Sequence, residues 1–392
     1  MGGMLIGAGC KRGQWSTNSK RAGRNGDVPN ELMSEPDLSL EPLQPHHAGD
    51  LVRLAREVFD VDWTEAFVRW KYFENPTGPA FAGGIKSDDG LGASFSNLPV
   101  RFKLGDRVVT VAQAVDAMVV TPLRRRGAFL KIAQQTYRQM DEAQIAFTYV
   151  FPSEAAAAGF VRKLDYRTIG YVPRYVKVLD AGQAAQAAGK RGVTGWPYRL
   201  TLEATRRLPS ARSPEPDPTL KLSAITAFDE RFDQLWRQTA ESFSIAAVRD
   251  SAYLNWRYAR NPLRHYQVLI AERDKQLLGF LVLGKLAVVG VVLEWLVVPE
   301  ETSTGQALLA EATRWAREQH LAMLYCWMLP HQNFYTQLLE QSGFAHRPQK
   351  WMPGLFRSNT HFIVRAIPNS VHSPDPYQLS NWYVSLGDHD YY

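Results

Sequence analysis

Apolar residues in this chain recur in two ways, as short β-branched runs and as stripes at helical spacing, and the two alternate along it. The stretch 115–140, VDAMVVTPLRRRGAFLKIAQQTYRQM, holds one of each. The run 115–120 suits a buried strand, and Thr121-Pro122 ends it because proline has no N–H for a ladder. From Ala128 onward Phe129, Ala133, Tyr137 and Met140 follow at intervals of four, four and three, so they share one helix face. The pattern predicts strand, tight turn and helix, with Arg124, Arg125, Arg126 and Gly127 in the turn.

Upstream, Leu51, Leu54, Val58 and Phe59 predict a helix capped by Asp50. The motif Trp70-Lys71-Tyr72-Phe73-Glu74-Asn75-Pro76 follows, then strands over 92–102 and 107–114 around a Leu104-Gly105-Asp106 turn. Downstream of 140 come a strand over 145–151, a helix through Phe160 and Leu164, and a strand over 171–179.

The whole series then recurs. Trp256-Arg257-Tyr258-Ala259-Arg260-Asn261-Pro262 repeats the earlier motif, followed by strands over 267–272, 277–283 and 291–298. A helix over 306–315, a strand over 323–328 and a helix from Asn333 to Gly343-Phe344 complete it. Asp116 and Glu294, Gly127 and Gly305, Pro152 and Pro330, and Tyr166 and Phe344 are each 178 positions apart. The two tryptophans are 186 apart, so the second copy lacks eight residues among its early strands. Several features at one offset and in one order mark a duplication. Two like domains are expected, at 36–180 and 220–366, joined by a connector over 181–219 with a helix near 200–207. Residues 1–35 read as a disordered basic leader, and 367–392 as a loop whose aromatics dock on the body. Deleting the leader is expected to leave the melting temperature unchanged.

Charge alters this picture less than its total suggests. Residues 1–26 carry five of the net six positive charges, which leaves a near-neutral body and no nucleic-acid surface. Two cysteines, Cys10 and Cys326, offer neither a disulfide framework nor a zinc site. No apolar run is long enough for membrane insertion, so a cytoplasmic home is expected. No metal site is expected at Asp388-His389-Asp390.

The candidate chemistry lies in the two turns. Helix first-turn N–H groups lack intrahelical partners and attract anions, Gly127 lets one approach the backbone, and arginines add charge-assisted bonds. The second copy reads Thr302-Ser303-Thr304-Gly305-Gln306-Ala307, keeping the glycine without the arginines.

Each copy, read as helix, antiparallel strands, strand–turn–helix, strand, helix and strand, resembles the GNAT acyltransferase superfamily. In that family an Arg/Gln-x-x-Gly-x-Gly/Ala turn grips the pyrophosphate of acyl-CoA. Arg124-Arg125-Arg126-Gly127-Ala128-Phe129 matches its first and fourth positions, and Phe129 departs from the small sixth residue. Pro122 stands one residue nearer the arginines than is usual. The Phe151-Pro152-Ser153 and Trp-basic-Tyr-x-x-Asn-Pro stretches are similar to an exopolysaccharide-associated branch. The resemblance implies an α/β fold of α+β type, two tandem GNAT-like units, each a mixed, mostly antiparallel sheet flanked by helices. It implies acetyl-CoA or another acyl-CoA as co-substrate, held by Val119, Val120, Arg124, Arg125, Arg126, Gly127, Ala128, Phe129 and Ser153. It implies transfer to a small amine or amino sugar, with Asp116 as the base and Glu154 as second choice. Glu154 also reads as a first-turn acid and Ser153 as a helix cap. A tyrosine acid five residues before Tyr166 or Phe344 is absent, since Val161 and Leu339 stand there. The competing functions are a Fem-like aminoacyl-tRNA-dependent transferase and a non-catalytic binding protein on a degenerate fold.

Overall fold

The computed structural model describes residues 39–87, 89–190, 192–206, 217–346, 360–366 and 373–390. The expected leader, most of the proline-rich part of the connector and the start of the expected tail lie outside them.

The first copy contributes β1 (Leu40–Pro42), α1 (Ala48–Phe59), α2 (Glu65–Phe73), β2 (Phe81–Ser87), β3 (Gly90–Leu104), β4 (Arg107–Val119), α3 (Ala128–Glu142), β5 (Phe147–Val150), α4 (Glu154–Lys163), β6 (Arg167–Tyr171) and β7 (Arg174–Val178). The connector carries α5 (Ala181–Ala187) and α6 (Gly192–Arg206). The second copy contributes β8 (Lys221–Ile225), α7 (Glu230–Ala240), β9 (Ile245–Ala247), α8 (Ser251–Leu254), β10 (Gln267–Arg273), β11 (Gln276–Leu286) and β12 (Val289–Val297). It closes with α9 (Thr302–Glu318), β13 (Met323–Trp327), α10 (Asn333–Gln341), β14 (Ala345–His346) and β15 (His361–Ala366).

Two mixed, mostly antiparallel sheets result. One runs β1-β2-β3-β4-β5-β15-β6, with β9 also on β3; the other runs β14-β7-β13-β12-β11-β10-β8. Only β4 with β5 and β12 with β13 pair in parallel among these strands. The sheets exchange strands: β7 of the first copy lies beside β13, and β15 of the second lies between β5 and β6. The stretch 171–179, read above as one strand, holds β7 and only the last residue of β6, because Pro173 removes a ladder donor between them. The two strands enter different sheets.

Other differences have local causes. The stretches 107–114 and 115–120 are one strand, β4, bent by a bulge at which Asp116 takes φ 48°. Helix α1 begins at Ala48, so Asp50 is a first-turn acid rather than its cap. The strands β2 and β15 escaped the periodicity, β2 because Gly83 and Gly84 interrupt its apolar pattern. Helix α9 begins at Thr302, so the expected second turn is helical.

The copies meet at their shared motif. Trp70 Nε1 donates to the Trp256 carbonyl at 2.7 Å and Trp256 Nε1 to the Trp70 carbonyl at 3.0 Å. The two rings stack with centroids 5.1 Å apart. A contact in which each partner does to the other what is done to it is the signature of two-fold symmetry, here inside one chain. No helix among the described residues is long and apolar enough to cross a membrane.

Candidate functional site

In both copies a parallel strand pair opens like a V. Strands β4 and β5 pair only at Ala112 with Thr148 and Gln113 with Tyr149. Beyond this the bulge shifts β4, and the jaws part. Strands β12 and β13 pair from Val289 with Met323 to Val292 with Cys326, and a bulge follows there too, between Val282 and Leu283 of the neighbouring register.

What fills each V differs. In the first copy a cavity of about 280 Å³ is lined by Ala117 and Val119 of β4, Val58, Arg124, Phe129, and Ala156, Gly159 and Phe160 of α4. Gly127 closes the turn at φ 79°, and a Cβ there would meet nothing within 4 Å. Arg125 also takes a left-handed φ of 63°, while the Arg124 and Arg126 N–H groups donate to the Thr121 and Leu123 carbonyls at 3.2 and 3.4 Å. Arg124, Arg125, Arg126 and Gly127 are exposed, while Ala128 is buried at the start of α3. Arg124 is steadied by an Nε bond to the Val119 carbonyl, 3.0 Å long. Phe129 narrows the cavity, packing edge-on against Phe95 and Phe160 at 5.2 and 5.9 Å. Val120 is buried, and its N–H is taken by the Gly92 carbonyl. Ser153 caps α4 through Oγ, accepting from the Ala156 N–H at 3.3 Å, and Glu154 is exposed in that helix's first turn.

In the second copy the V is filled by the segment 382–389. The Trp382 carbonyl accepts from Gln332 Nε2 at 3.2 Å and lies 2.8 Å from His331 Nε2, at one jaw. The Tyr383 hydroxyl donates to the Trp295 carbonyl and Ser385 Oγ to Glu294 at 2.9 Å, at the other. A side chain at Gly387 would run into the Tyr258 hydroxyl and Glu294. The turn is closed as well: a Cβ on Gly305 would come within 2.6 Å of Leu338 on α10. Glu301 already sits at the N-terminus of α9, bonded by Thr304 at 2.9 Å and by Arg273 at 2.9 Å.

The acids at the two bulges are held alike. The Tyr72 hydroxyl donates to Asp116 at 2.6 Å, and the Tyr258 hydroxyl to Glu294 at 3.2 Å. Their cations differ. Lys71, beside Tyr72, reaches Asp116 at 2.6 Å, whereas Glu294 pairs with Arg249 at 2.6 Å. Burial pushes the Asp116 carboxyl up against the pull of Lys71, and pushes the Tyr72 hydroxyl well above its ordinary value. Arg257, the counterpart of Lys71, turns to the Gly387 and His389 carbonyls.

The sequence raises Asp390 only as a candidate metal ligand. It lies 3.5 Å from Lys71 Nζ and so joins the Asp116 cluster. Its neighbour His389 stacks on Phe151, at the end of the β5 jaw, with centroids 5.8 Å apart. The available signal was the acid–histidine–acid run itself, without any spacing that placed it.

Comparison with known proteins agrees with this fold. The Acetyltransferase (GNAT) domain family matches residues 39–169. Similar folds include the Probable N-Acyltransferase of Enterococcus faecalis (TM-score 0.59, 10% identity, 84% of this chain and 72% of that one). A GCN5-related N-acetyltransferase from Anabaena variabilis has TM-score 0.57 at 14% identity over 84% and 72%. Saccharomyces cerevisiae N-myristoyltransferase with bound myristoyl-CoA has TM-score 0.55 at 12% identity over 91% and 86%. No curated protein matches by sequence. Residues 39–169 match the GNAT acetyltransferase domain family, and the chain as a whole carries the GNAT-like fold in tandem.

Proposed function

We propose that the protein is an acyl-CoA-dependent N-acyltransferase that binds its donor, acetyl-CoA or another acyl-CoA, in the first copy alone. The observation that carries this reading is the open left-handed turn at Arg124–Gly127, set at a 280 Å³ cavity between splayed strands. The pyrophosphate lies on the N–H groups of Gly127, Ala128 and Phe129 with Arg124, Arg125 and Arg126 around it. Val119 and Phe129 flank the pantetheine arm. The bulge at Asp116 leaves a backbone donor outside the ladder, placed to stabilise negative charge on the thioester oxygen. The acceptor is a small amine or amino sugar, entering from the side of Lys71 and Asp116. The near-neutral body disfavours aminoacyl-tRNA as donor.

The test is thiol release from acetyl-CoA in the presence of glucosamine, lysine or spermidine. Turnover above hydrolysis is expected for at least one amine, lost in Gly127→Val, which places a side chain where phosphate must lie. Tight acetyl-CoA binding without turnover on any amine would favour the non-catalytic reading.

A further inference from the structure

The chain's C-terminal segment crosses from the second V to the first, and where it surfaces is informative. Trp382, Tyr383, Leu386 and Asp388 are buried. Arg249, itself sealed, clamps Asp388 at 2.8 Å and Glu294 at 2.6 Å. Past this clamp the segment opens: the side chains of His389 and Asp390 are 20% and 22% exposed. They emerge at the throat of the first V. His389 lies on Phe151 of the β5 jaw and meets Trp327 edge-on at 5.5 Å; Asp390 reaches Lys71, which holds Asp116 of the β4 bulge. A water-sized cavity beside Asp390 is walled by Trp70, Gln113, Tyr253 and Trp256.

We infer that His389, paired with Asp390, is the proton acceptor of the first-copy site, and that the second copy's cleft is the socket that delivers the pair. The inference rests on the acyl-CoA reading above. It explains why a copy with a closed turn keeps its splayed strands: the splay holds the segment. It also relieves Asp116, whose Oδ2 is committed to Lys71 and Tyr72. Charged and polar groups face the imidazole from three elements. Asp390 Oδ1 is 3.5 Å from Nδ1 on the same segment, the Phe151 carbonyl faces it from β5, and Arg257 and Lys71 approach from the two copies of the motif. Burial, with Arg257 and Lys71, holds the imidazole below its ordinary range, against the opposite pull of Asp390 and the Phe151 backbone.

The step balances as follows. The amine nitrogen attacks the thioester carbonyl carbon and an N–C bond forms. The proton shed by that nitrogen passes to His389. The C–S bond breaks with its electron pair on sulfur, and the thiolate takes a proton back from the imidazolium. Amide and free thiol result, and His389 is neutral again.

The test compares wild type, His389→Gln, His389→Ala and Asp390→Asn, with acetyl-CoA and the three amines. His389→Gln should lower kcat by about a hundredfold while calorimetry finds acetyl-CoA affinity unchanged. The wild-type rate should fall on the acid side, with a midpoint below that of an ordinary histidine, and this limb should vanish in His389→Gln. Added imidazole should restore part of the turnover of His389→Ala, which a packing defect would not allow. Asp390→Asn should move the acid limb downward. Unchanged kcat and limb in both residue-389 variants would overturn the inference and leave acyl-CoA binding standing. A wild type that binds acetyl-CoA but turns over no amine would overturn it too, and one that binds no acetyl-CoA would sink both readings.

Discussion

At the scale of single residues, buried charge makes two claims that can be measured. Lys177 on β7 donates to Thr313 at 3.1 Å, and burial, with Arg317 nearby, lowers it from 10.5 to about 8. Its folded value lies below its unfolded one, so between pH 8 and 10.5 the unfolded chain holds the extra proton, and stability rises with pH there. Below pH 8 the full penalty applies, at most about 3 kcal/mol. Urea unfolding of Lys177→Met should show greater stability than wild type at pH 7, with the gap closing toward pH 10. Parallel curves would refute it. Asp116 is the second case. Asp116→Asn leaves Lys71 buried with only Asp390, 3.5 Å away, and should cost about 3–5 kcal/mol of stability. Adding Lys71→Met should recover much of that. A cost under 1 kcal/mol with turnover abolished would return the proton-accepting role to Asp116.

At the scale of elements, local periodicity was a good guide wherever an element buries one face. Helix α3 begins at Ala128 as read, because glycine ends the turn and Ala133, Tyr137 and Met140 are buried on one side. It failed where position depends on the rest of the chain. The bulge at Asp116 leaves no mark in an apolar run, since two residues facing one keep the composition unchanged. The strand read over 171–179 takes in β7 but only Tyr171 of β6, because nothing local tells their sheets apart. The loss of arginines at 302–304 was legible; that Leu338 and Glu301 close this turn was not, because the first sits 33 positions beyond Gly305. Gly305→Val is for this reason a poor control for ligand binding: it would displace α10, whereas Thr302 is exposed.

At the scale of the whole molecule, duplication was legible from offsets, and its consequence was not. Reciprocal tryptophan bonds and exchanged strands mean neither copy completes its sheet alone. One core cluster accordingly joins Phe102 and Phe147 of the first sheet to Trp295 and Trp327 of the second through Trp382. Within this near-symmetry the clefts have diverged, one open beside the Arg124–Gly127 turn and the other occupied by the chain itself. That asymmetry is the account's central claim, and calorimetry with acetyl-CoA tests it most directly. Charge-assisted bonds are roughly twice as strong as neutral ones, so binding should show one site per chain that weakens as salt rises. Arg124→Glu combined with Gly127→Val should weaken it at least a hundredfold, and Thr302→Glu should leave it within a few-fold of wild type. Two equal sites, or a site lost with Thr302→Glu and kept with the first pair, would contradict the account.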